Sequence, residues 1–222
     1  MKVKGQMSES NIVMTALTLS GGLQDAYSYF VRGKVFANAQ TGNLVLLSDK
    51  IVNGDFAGTL KYLVPVLAFT LGIFVAEQLK GNLQKARLIH WRQIVVLSEI
   101  IMLFIVGLLP ISKEINPIAN ALTSFSCAMQ VQAFRKVKGH PYASTMCIGN
   151  IRSAMETMSA YIRTRDLDLL KKSLQYILVI FIFLIGAGFG GAFYSSLNGK
   201  MIWFSCFLLI LAFVLMFKEE EI

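Results

Sequence analysis

Six long apolar stretches alternate with short polar connections along the chain, and this alternation predicts a bundle of membrane-spanning helices. A helix needs about 20 mostly apolar residues to cross the roughly 30 Å of hydrocarbon in a bilayer. The stretches that meet this requirement are Asn11–Val31, Leu60–Lys80, Gln93–Ile111, Asn116–Phe134, Ser173–Tyr194 and Met201–Phe217. The pattern therefore predicts an all-α integral membrane protein with about six transmembrane helices.

Two further segments are apolar but interrupted by small and polar residues. Gly33–Leu47 reads GKVFANAQTGNLVLL, and Gly139–Met155 reads GHPYASTMCIGNIRSAM. In each, an extended polar leg leads to a Gly-Asn pair that opens a short apolar helix. Non-helical backbone at membrane depth is tolerated only where it is buried in protein or lines a wet cavity. We therefore predict that both segments are re-entrant and line a cavity, with Thr41 or Asn43 capping the first returning helix.

The same order of elements occurs twice, which predicts an internal repeat within a single membrane domain. The positions that align are Gln24 with Gln130, Gly33 with Gly139, Phe36 with Tyr142, Ala37 with Ala143 and, after one extra residue in the second copy, Gly42-Asn43 with Gly149-Asn150. Repeat one covers about residues 11–111, and repeat two covers about residues 116–217. Each copy crosses the membrane an odd number of times, so the second copy is predicted to be inverted, as in many transporters. Chance similarity between two apolar segments is the alternative.

Composition supports the membrane assignment, since 55% of the 222 residues are apolar and 15% are charged. Soluble domains average about 25% charged residues, and so much apolar surface could not be hidden in one soluble core. The lipid bilayer is therefore the predicted partner. The formal net charge of +8 does not indicate nucleic acid, because basic residues in a membrane protein first report its orientation.

The distribution of basic residues predicts the orientation. If both interrupted segments enter and leave by the same face, fifteen Lys and Arg residues share the face that holds both termini, and six lie on the other. Both termini are then cytoplasmic. If both segments crossed the membrane fully, a basic loop would lie outside. The basic stretch 163–172 is predicted to lie along the anionic headgroups.

The first interrupted segment and the end of the helix before it resemble a known family. The stretch GGLQDAYSYFVRGKVFANAQTGNLVLLS resembles the signature of the YoaK family, bacterial membrane proteins described as a domain of unknown function. The matching residues are Asp25, Ala26, Phe36, Thr41, Gly42, Asn43 and Val45. In the second half, Ile148-Gly149-Asn150-Ile151 stands where the family more often has Thr-Gly-Thr-Leu. The resemblance covers essentially the whole chain and implies about six spans in the bacterial plasma (inner) membrane, but no substrate.

Ionisable residues inside the apolar stretches are candidates for function. A carboxylate at the bilayer centre costs at least about 2.5–3.5 kcal/mol, so Asp25 should face the interior with a partner or water. Asp25 is a candidate for proton coupling, or it serves a structural role as a hydrogen-bond acceptor. Glu99 is a second coupling candidate, and Arg152 could pair with either carboxylate or touch the substrate.

If the two short helices point their N-termini at midplane, their partial positive charges form a site for an anion or a dipole. The predicted substrate-binding or cavity-lining residues are Gln24, Asp25, Thr41, Gly42, Asn43, Gln130, Gly149, Asn150 and Arg152.

Other kinds of site lack a sequence signal. Cys127, Cys147 and Cys206 show no CxxC spacing, so neither a metal nor a cofactor is predicted. There is no HExxH motif and no Ser-His or Cys-His set, so an enzyme is not predicted. The run GAGFGGAF in the helix of residues 173–194 contains small-xxx-small pairs, which serve packing within the monomer or a homodimer face.

These observations lead to one hypothesis with two alternatives. The leading hypothesis is a small secondary transporter or channel-like protein with a central site between two broken helices, for a small solute or ion such as a small anion or carboxylate. The first alternative is a membrane assembly or interaction protein that binds through the glycine-rich helix. The second is a membrane-embedded enzyme, in which Asp25 would have to act alone.

Overall fold

The computed structural model describes residues 4–5, 7–83, 90–137, 140–217 and 220–221, and α-helices dominate it. The helices of this described part are α1 (Asn11–Phe30), α2 (Gln40–Val52), α3 (Phe56–Leu83), α4 (Trp91–Leu108), α5 (Asn116–Ala133), α6 (Cys147–Thr164), α7 (Leu167–Leu197) and α8 (Ile202–Leu215). Two short antiparallel ladders accompany them, β1 (Lys4–Gly5) with β4 (Glu220–Glu221) and β2 (Lys136–Val137) with β3 (His140–Pro141). The β1–β4 ladder places the two ends of the chain side by side.

All six predicted stretches are helical, and three segments qualify as membrane spans by length and hydropathy. These segments are Phe56–Leu83, Trp91–Leu108 and the run Leu167–Leu215, which contains both α7 and α8. Their outer faces carry large exposed apolar side chains, including Leu67, Leu71, Phe74, Ile101, Phe104, Phe181, Ile185 and Phe207. Such a continuous apolar surface belongs in lipid, so the chain is a helical membrane protein. Neither α1 nor α5 qualifies, because each carries a stripe of buried polar residues.

The helices α1 and α5 form the interior, and each packs chiefly on a helix from the other half of the chain. We call residues 11–108 the first half and residues 116–215 the second half. Helix α1 packs on α7 and α8, while α5 packs on α3 and α4. Helix α2 lies on α3, as α6 lies on α7. When the two halves are exchanged, each of these helix pairings therefore becomes another pairing of the same set.

Glycines allow a close approach of the backbones at two of these crossings. A Cβ built on Gly186 of α7 would come closer than 3.0 Å to the carbonyl oxygen of Leu19 in α1. A Cβ on Gly72 of α3 would do the same at the carbonyl oxygen of Phe125 in α5. Small residues let helix backbones approach closely within a membrane, so the glycine-rich face of α7 is used for packing inside the chain.

A buried arginine joins the end of α1 to the connection between α4 and α5. Arg32 is 1% exposed, and its guanidinium donates to the Tyr27 hydroxyl (2.8 Å) and the Asn116 side-chain oxygen (3.2 Å). It also donates to three carbonyl oxygens at 2.7–2.8 Å, those of Val106, Leu109 and Pro110. Arg32 enters the charge count of the face opposite the termini, but its contacts make it a structural cap for α4.

The basic stretch 163–172 is not a separate surface helix. Helix α6 continues to Thr164, Arg165 adopts a left-handed conformation (φ 58°), and Asp166 caps α7 through a hydrogen bond to the backbone N–H of Asp168. Lys171 and Lys172 belong to the first turns of α7. The αL turn and the Asp cap divide the stretch, which its charge pattern does not reveal.

Candidate functional site

Both interrupted segments contain a non-helical leg followed by a helix, as the sequence predicts. The first leg, residues 33–39, begins with positive φ angles at Gly33 (91°) and Lys34 (61°) and ends where α2 starts at Gln40. The second leg, residues 142–146, ends where α6 starts at Cys147. Helix α6 has 18 residues, which is longer than the short helix that the sequence suggests. Gly139, the predicted counterpart of Gly33, lies outside the described residues.

Each leg is held by the asparagine of its Gly-Asn pair. Asn43 accepts the backbone N–H of Phe36 (3.1 Å) and donates to the carbonyl oxygen of the same residue (2.7 Å). Asn150 makes the same two bonds to Ala143, at 3.3 and 2.7 Å. Both asparagines are buried, and each lies seven residues after its partner. The predicted capping of α2 by Thr41 or Asn43 is wrong: the N-cap is Ala39, no side chain caps the helix, and the amide of Asn43 is committed to the leg.

A cavity of about 530 Å³ lies where the two helices begin. Residues at the N-termini of both α2 and α6 line it, together with aromatic side chains from α3 and α7. The lining residues are Asp25, Phe36, Asn38, Ala39, Gln40, Thr41, Phe69, Thr145, Met146, Cys147, Ile148 and Phe183. Small-molecule sites typically enclose roughly 300–1,000 Å³ behind mostly apolar walls with a few polar groups, and this cavity fits that description.

Asp25 supplies the acidic group of the cavity and anchors the first leg. Its carboxylate accepts the backbone N–H of Asn38 at 2.8 Å. The side-chain amide of Asn38 in turn donates to the carbonyl oxygen of Gly21 at 3.2 Å. Helix α1 thereby fixes the leg at the point where it enters the cavity. Asp25 therefore lies in the interior with a partner, as the cost of an intramembrane carboxylate predicts.

Two lining residues keep polar atoms without a partner. Asn38 is 2% exposed and Thr145 is 5% exposed, yet no hydrogen bond reaches the Asn38 Oδ1 or the Thr145 Oγ1. Buried polar groups are nearly always hydrogen-bonded to protein or to something the protein holds. Both residues line the cavity, so a small rotation of either side chain would present its polar atom to a solute or water there.

Three predicted residues, Gln24, Glu99 and Gln130, are buried in the interior but do not line the cavity. Gln24 donates to the Ser20 hydroxyl (2.9 Å) and to Glu99 (3.0 Å), and its own oxygen accepts the Cys127 thiol (2.7 Å). Gln130 donates to the Ser144 hydroxyl at 2.8 Å and to the carbonyl oxygen of Leu17 at 3.3 Å. The polar stripes of α1 and α5 thus face inward, where these side chains bind other groups of the protein.

Gly42, Gly149 and Arg152 also lie off the lining. A Cβ on Gly42 would touch the ring of Phe36 at 3.2 Å, whereas one on Gly149 would meet nothing within 4 Å. Arg152 is exposed on α6, and within the described ranges no hydrogen bond or ion pair joins it to Asp25 or Glu99. Of the predicted residues, Asp25 and Thr41 line the cavity directly, and Asn43 and Asn150 shape its legs.

Sequence reasoning missed Asn38, Thr145 and the aromatic pair Phe69 and Phe183. One signal could have found the first two: each lies five positions before the asparagine of its Gly-Asn pair. Among the described residues no three His, Cys, Asp or Glu side chains gather as a metal-ligand group.

Comparison with known proteins gives a family but no activity. Residues 13–215 match the model of the family "Protein of unknown function (DUF1275)". The chain is 26% identical over 184 residues to the UPF0700 transmembrane protein YoaK of Bacillus subtilis (strain 168), and the match covers 80% of each chain. No solved structure matches the chain significantly. The resemblance read from the first Gly-Asn segment is thereby confirmed.

Proposed function

Because the chain belongs to the DUF1275 family of membrane proteins, whose description names no activity, we propose its function from the site. The protein is a small secondary transporter or channel-like protein, and the cavity between α2 and α6 is its solute site. The observation that carries the proposal is that equivalent positions of the two halves line this one cavity.

The equivalence is visible in the residue numbers of the lining. Four pairs lie 107 positions apart, namely Asn38 with Thr145, Ala39 with Met146, Gln40 with Cys147 and Thr41 with Ile148. The two asparagines that hold the legs have the same separation. Phe69 and Phe183 lie 114 positions apart, as do Gly72 and Gly186 at the close helix crossings. A site at the interface of two internal repeats is typical of secondary transporters.

The proposed arrangement is an inverted repeat in the bacterial plasma membrane. In it α1, α3, α4, α5, α7 and α8 cross the bilayer, and the two legs with α2 and α6 are re-entrant. The side-by-side chain ends support a shared face for both termini, and the bias of basic residues makes that face cytoplasmic.

Cysteine labelling in intact cells tests this orientation. In a variant without the three native cysteines, a cysteine at the exposed Lys113 should react with an impermeant reagent, and one at the exposed Arg163 should not. The reverse labelling pattern would contradict both the orientation and the re-entrant arrangement.

The nature of the solute follows from the helix ends. Two helix N-termini favour a negatively charged group, which supports a small carboxylate. No Lys or Arg of the described residues lines the cavity, so α2 and α6 would provide the attraction. Asp25 lines the same cavity and is the coupling candidate that can exchange a proton with it, whereas Glu99 lies outside the lining.

The alternative of an assembly protein receives less support from the packing. Gly186 and Gly190 face Leu19 and Ala26 of α1, so this small-residue stripe is occupied within the chain. A homodimer through another face of α7 stays a prediction.

Cys147 offers a direct test of the proposed transport. It lines the cavity and is partly exposed, whereas Cys127 and Cys206 are 0% and 5% exposed. We expect a small methanethiosulfonate to modify Cys147 in proteoliposomes and to block uptake of labelled solutes found in a panel of small carboxylates. Uptake by the Cys147→Ser variant should resist the reagent, while uptake by Cys206→Ser should remain sensitive. Modification of Cys147 with undiminished uptake, or no uptake of any solute tested, would contradict the proposal.

A further inference from the structure

One wall of the cavity is rich in hydrogen-bond acceptors. Asp25 contributes a carboxylate, Asn38 an amide oxygen and Thr145 a hydroxyl. The amide nitrogen of Asn38 donates one of its two N–H groups to Gly21, and the amide oxygen has no partner, so this residue can offer an acceptor. Two of the three groups are buried and have an unpartnered oxygen. Such a wall matches a ligand group with several N–H donors, and an ammonium supplies them together with the charge that Asp25 complements.

The start of α6 offers the cavity hydrogen-bond donors instead of acceptors. No side chain caps this helix, and the N–H groups of Cys147, Ile148 and Gly149 have no acceptor among the described residues. In α2, by contrast, the N–H groups of Gln40 and Gly42 are taken by carbonyl oxygens of the first leg. Uncapped N–H groups at a helix N-terminus are complementary to a carboxylate, so α6 is the better anion-binding end.

Most of the remaining lining is apolar. Phe36, Phe69 and Phe183 contribute aromatic rings, and Met146 and Ile148 contribute flexible or branched aliphatic chains. A small, strongly hydrated ion would gain nothing from such walls, whereas an apolar side chain would be removed from water there.

From these three features we infer that the cavity binds a zwitterionic solute with an apolar body, of the α-amino acid class. The ammonium lies at Asp25, Asn38 and Thr145, and the carboxylate lies at the N-terminus of α6. The inference rests on the proposed function, because it names the substrate class of the same cavity. It extends the carboxylate assignment by adding the positive group that the acceptor wall requires.

Binding of three matched probes to the purified full-length protein in detergent tests the inference. The probes are L-phenylalanine, phenethylamine, which lacks the carboxylate, and 3-phenylpropionate, which lacks the ammonium. Isothermal titration calorimetry should show phenylalanine binding at least about tenfold more tightly than either analogue, since each analogue loses one set of charge-assisted hydrogen bonds. Binding of 3-phenylpropionate that is as tight as that of phenylalanine, or tighter, would overturn the inference. A higher melting temperature of the protein in NaCl, together with no binding of phenylalanine, would also overturn it. So would the absence of binding by all three probes.

Thr145→Val separates a ligand-binding role from a structural one. Because the Thr145 hydroxyl has no partner in the protein, its loss should leave the melting temperature unchanged or higher while weakening phenylalanine and phenethylamine several-fold. Thr70→Val is the matched control, since Thr70 is exposed on α3 outside the cavity and bonds to its own helix. Unchanged phenylalanine affinity in Thr145→Val would contradict the assignment of the ammonium position.

Uptake measurements keep this inference distinct from the proposed function. If phenylalanine binds selectively but does not enter proteoliposomes, the transport proposal fails and the ligand class stands. If carboxylates without an ammonium are transported and phenylalanine is not bound, transport stands and the ligand class is overturned.

Discussion

Replacement of Arg32 by alanine should destabilise the protein by about 3–5 kcal/mol. The guanidinium is almost fully buried, and its five hydrogen bonds go to α1, to the end of α4 and the two residues that follow it, and to the start of α5. Its removal leaves the buried carbonyl oxygen of Val106, and the part-buried ones of Leu109 and Pro110, without this donor. Each unsatisfied buried polar group costs about 1–3 kcal/mol. An SDS titration of the purified protein, followed by circular dichroism, measures the loss.

Two further variants show whether geometry or charge is responsible. Arg32→Lys keeps the positive charge but has three donors on a single nitrogen and cannot reproduce the planar fork, so it should recover only part of the stability. Lys113→Ala removes an exposed positive charge from the same region and should change stability by less than about 0.5 kcal/mol. A small effect of Arg32→Ala, or full recovery by lysine, would contradict the capping role.

Two glycines of α7 should respond to alanine with opposite signs. Within a helix, Gly→Ala ordinarily stabilises by about 0.5–1 kcal/mol, because alanine restricts the unfolded chain. At Gly188 a Cβ meets nothing within 4 Å, so this gain should appear in full. At Gly186 the Cβ would collide with the backbone carbonyl of Leu19, and separating α1 from α7 should cost about 1–3 kcal/mol.

The pair shares one helix and one substitution, so detergent and expression effects cancel in the comparison. Thermal unfolding in the same detergent should place Gly186→Ala below the wild type and Gly188→Ala above it. Gly72→Ala should behave like Gly186→Ala, since its Cβ would meet the carbonyl of Phe125 in the equivalent crossing. If Gly186→Ala and Gly188→Ala shift the unfolding temperature equally, the close α1–α7 crossing is contradicted.

The helices were largely predictable because the hydrophobic period and length of each apolar run are local properties. The starts of α1 and α5, at Asn11 and Asn116, agree with the sequence prediction. Helices α3 and α7 extend further at both ends than predicted. Their terminal turns carry polar residues that hydropathy assigns to connections, while capping and packing decide where the backbone turns.

The candidate site was predictable only in part, for a physical reason. Asp25 is conspicuous because a carboxylate in an apolar helix is costly wherever it lies. Asn38 and Thr145 sit in polar legs where such residues are ordinary, and only the folded path of each leg brings them to the cavity. Gln24 and Gln130 show the opposite case, because a polar side chain in a membrane interior can be satisfied by a neighbouring helix as well as by a solute.

The interleaved pairing of the helices has a consequence for how the protein is made. Helix α1 finds its main partner in α7, near the end of the chain, and α3 finds its own in α5. During synthesis, the first half therefore enters the membrane before the surfaces that cover its polar residues exist. The buried stripe of α1 must then be sheltered by the insertion machinery or by neighbouring segments until the second half follows. Biogenesis, rather than the finished fold, is the stage at which a truncated chain would be most exposed to quality-control proteases.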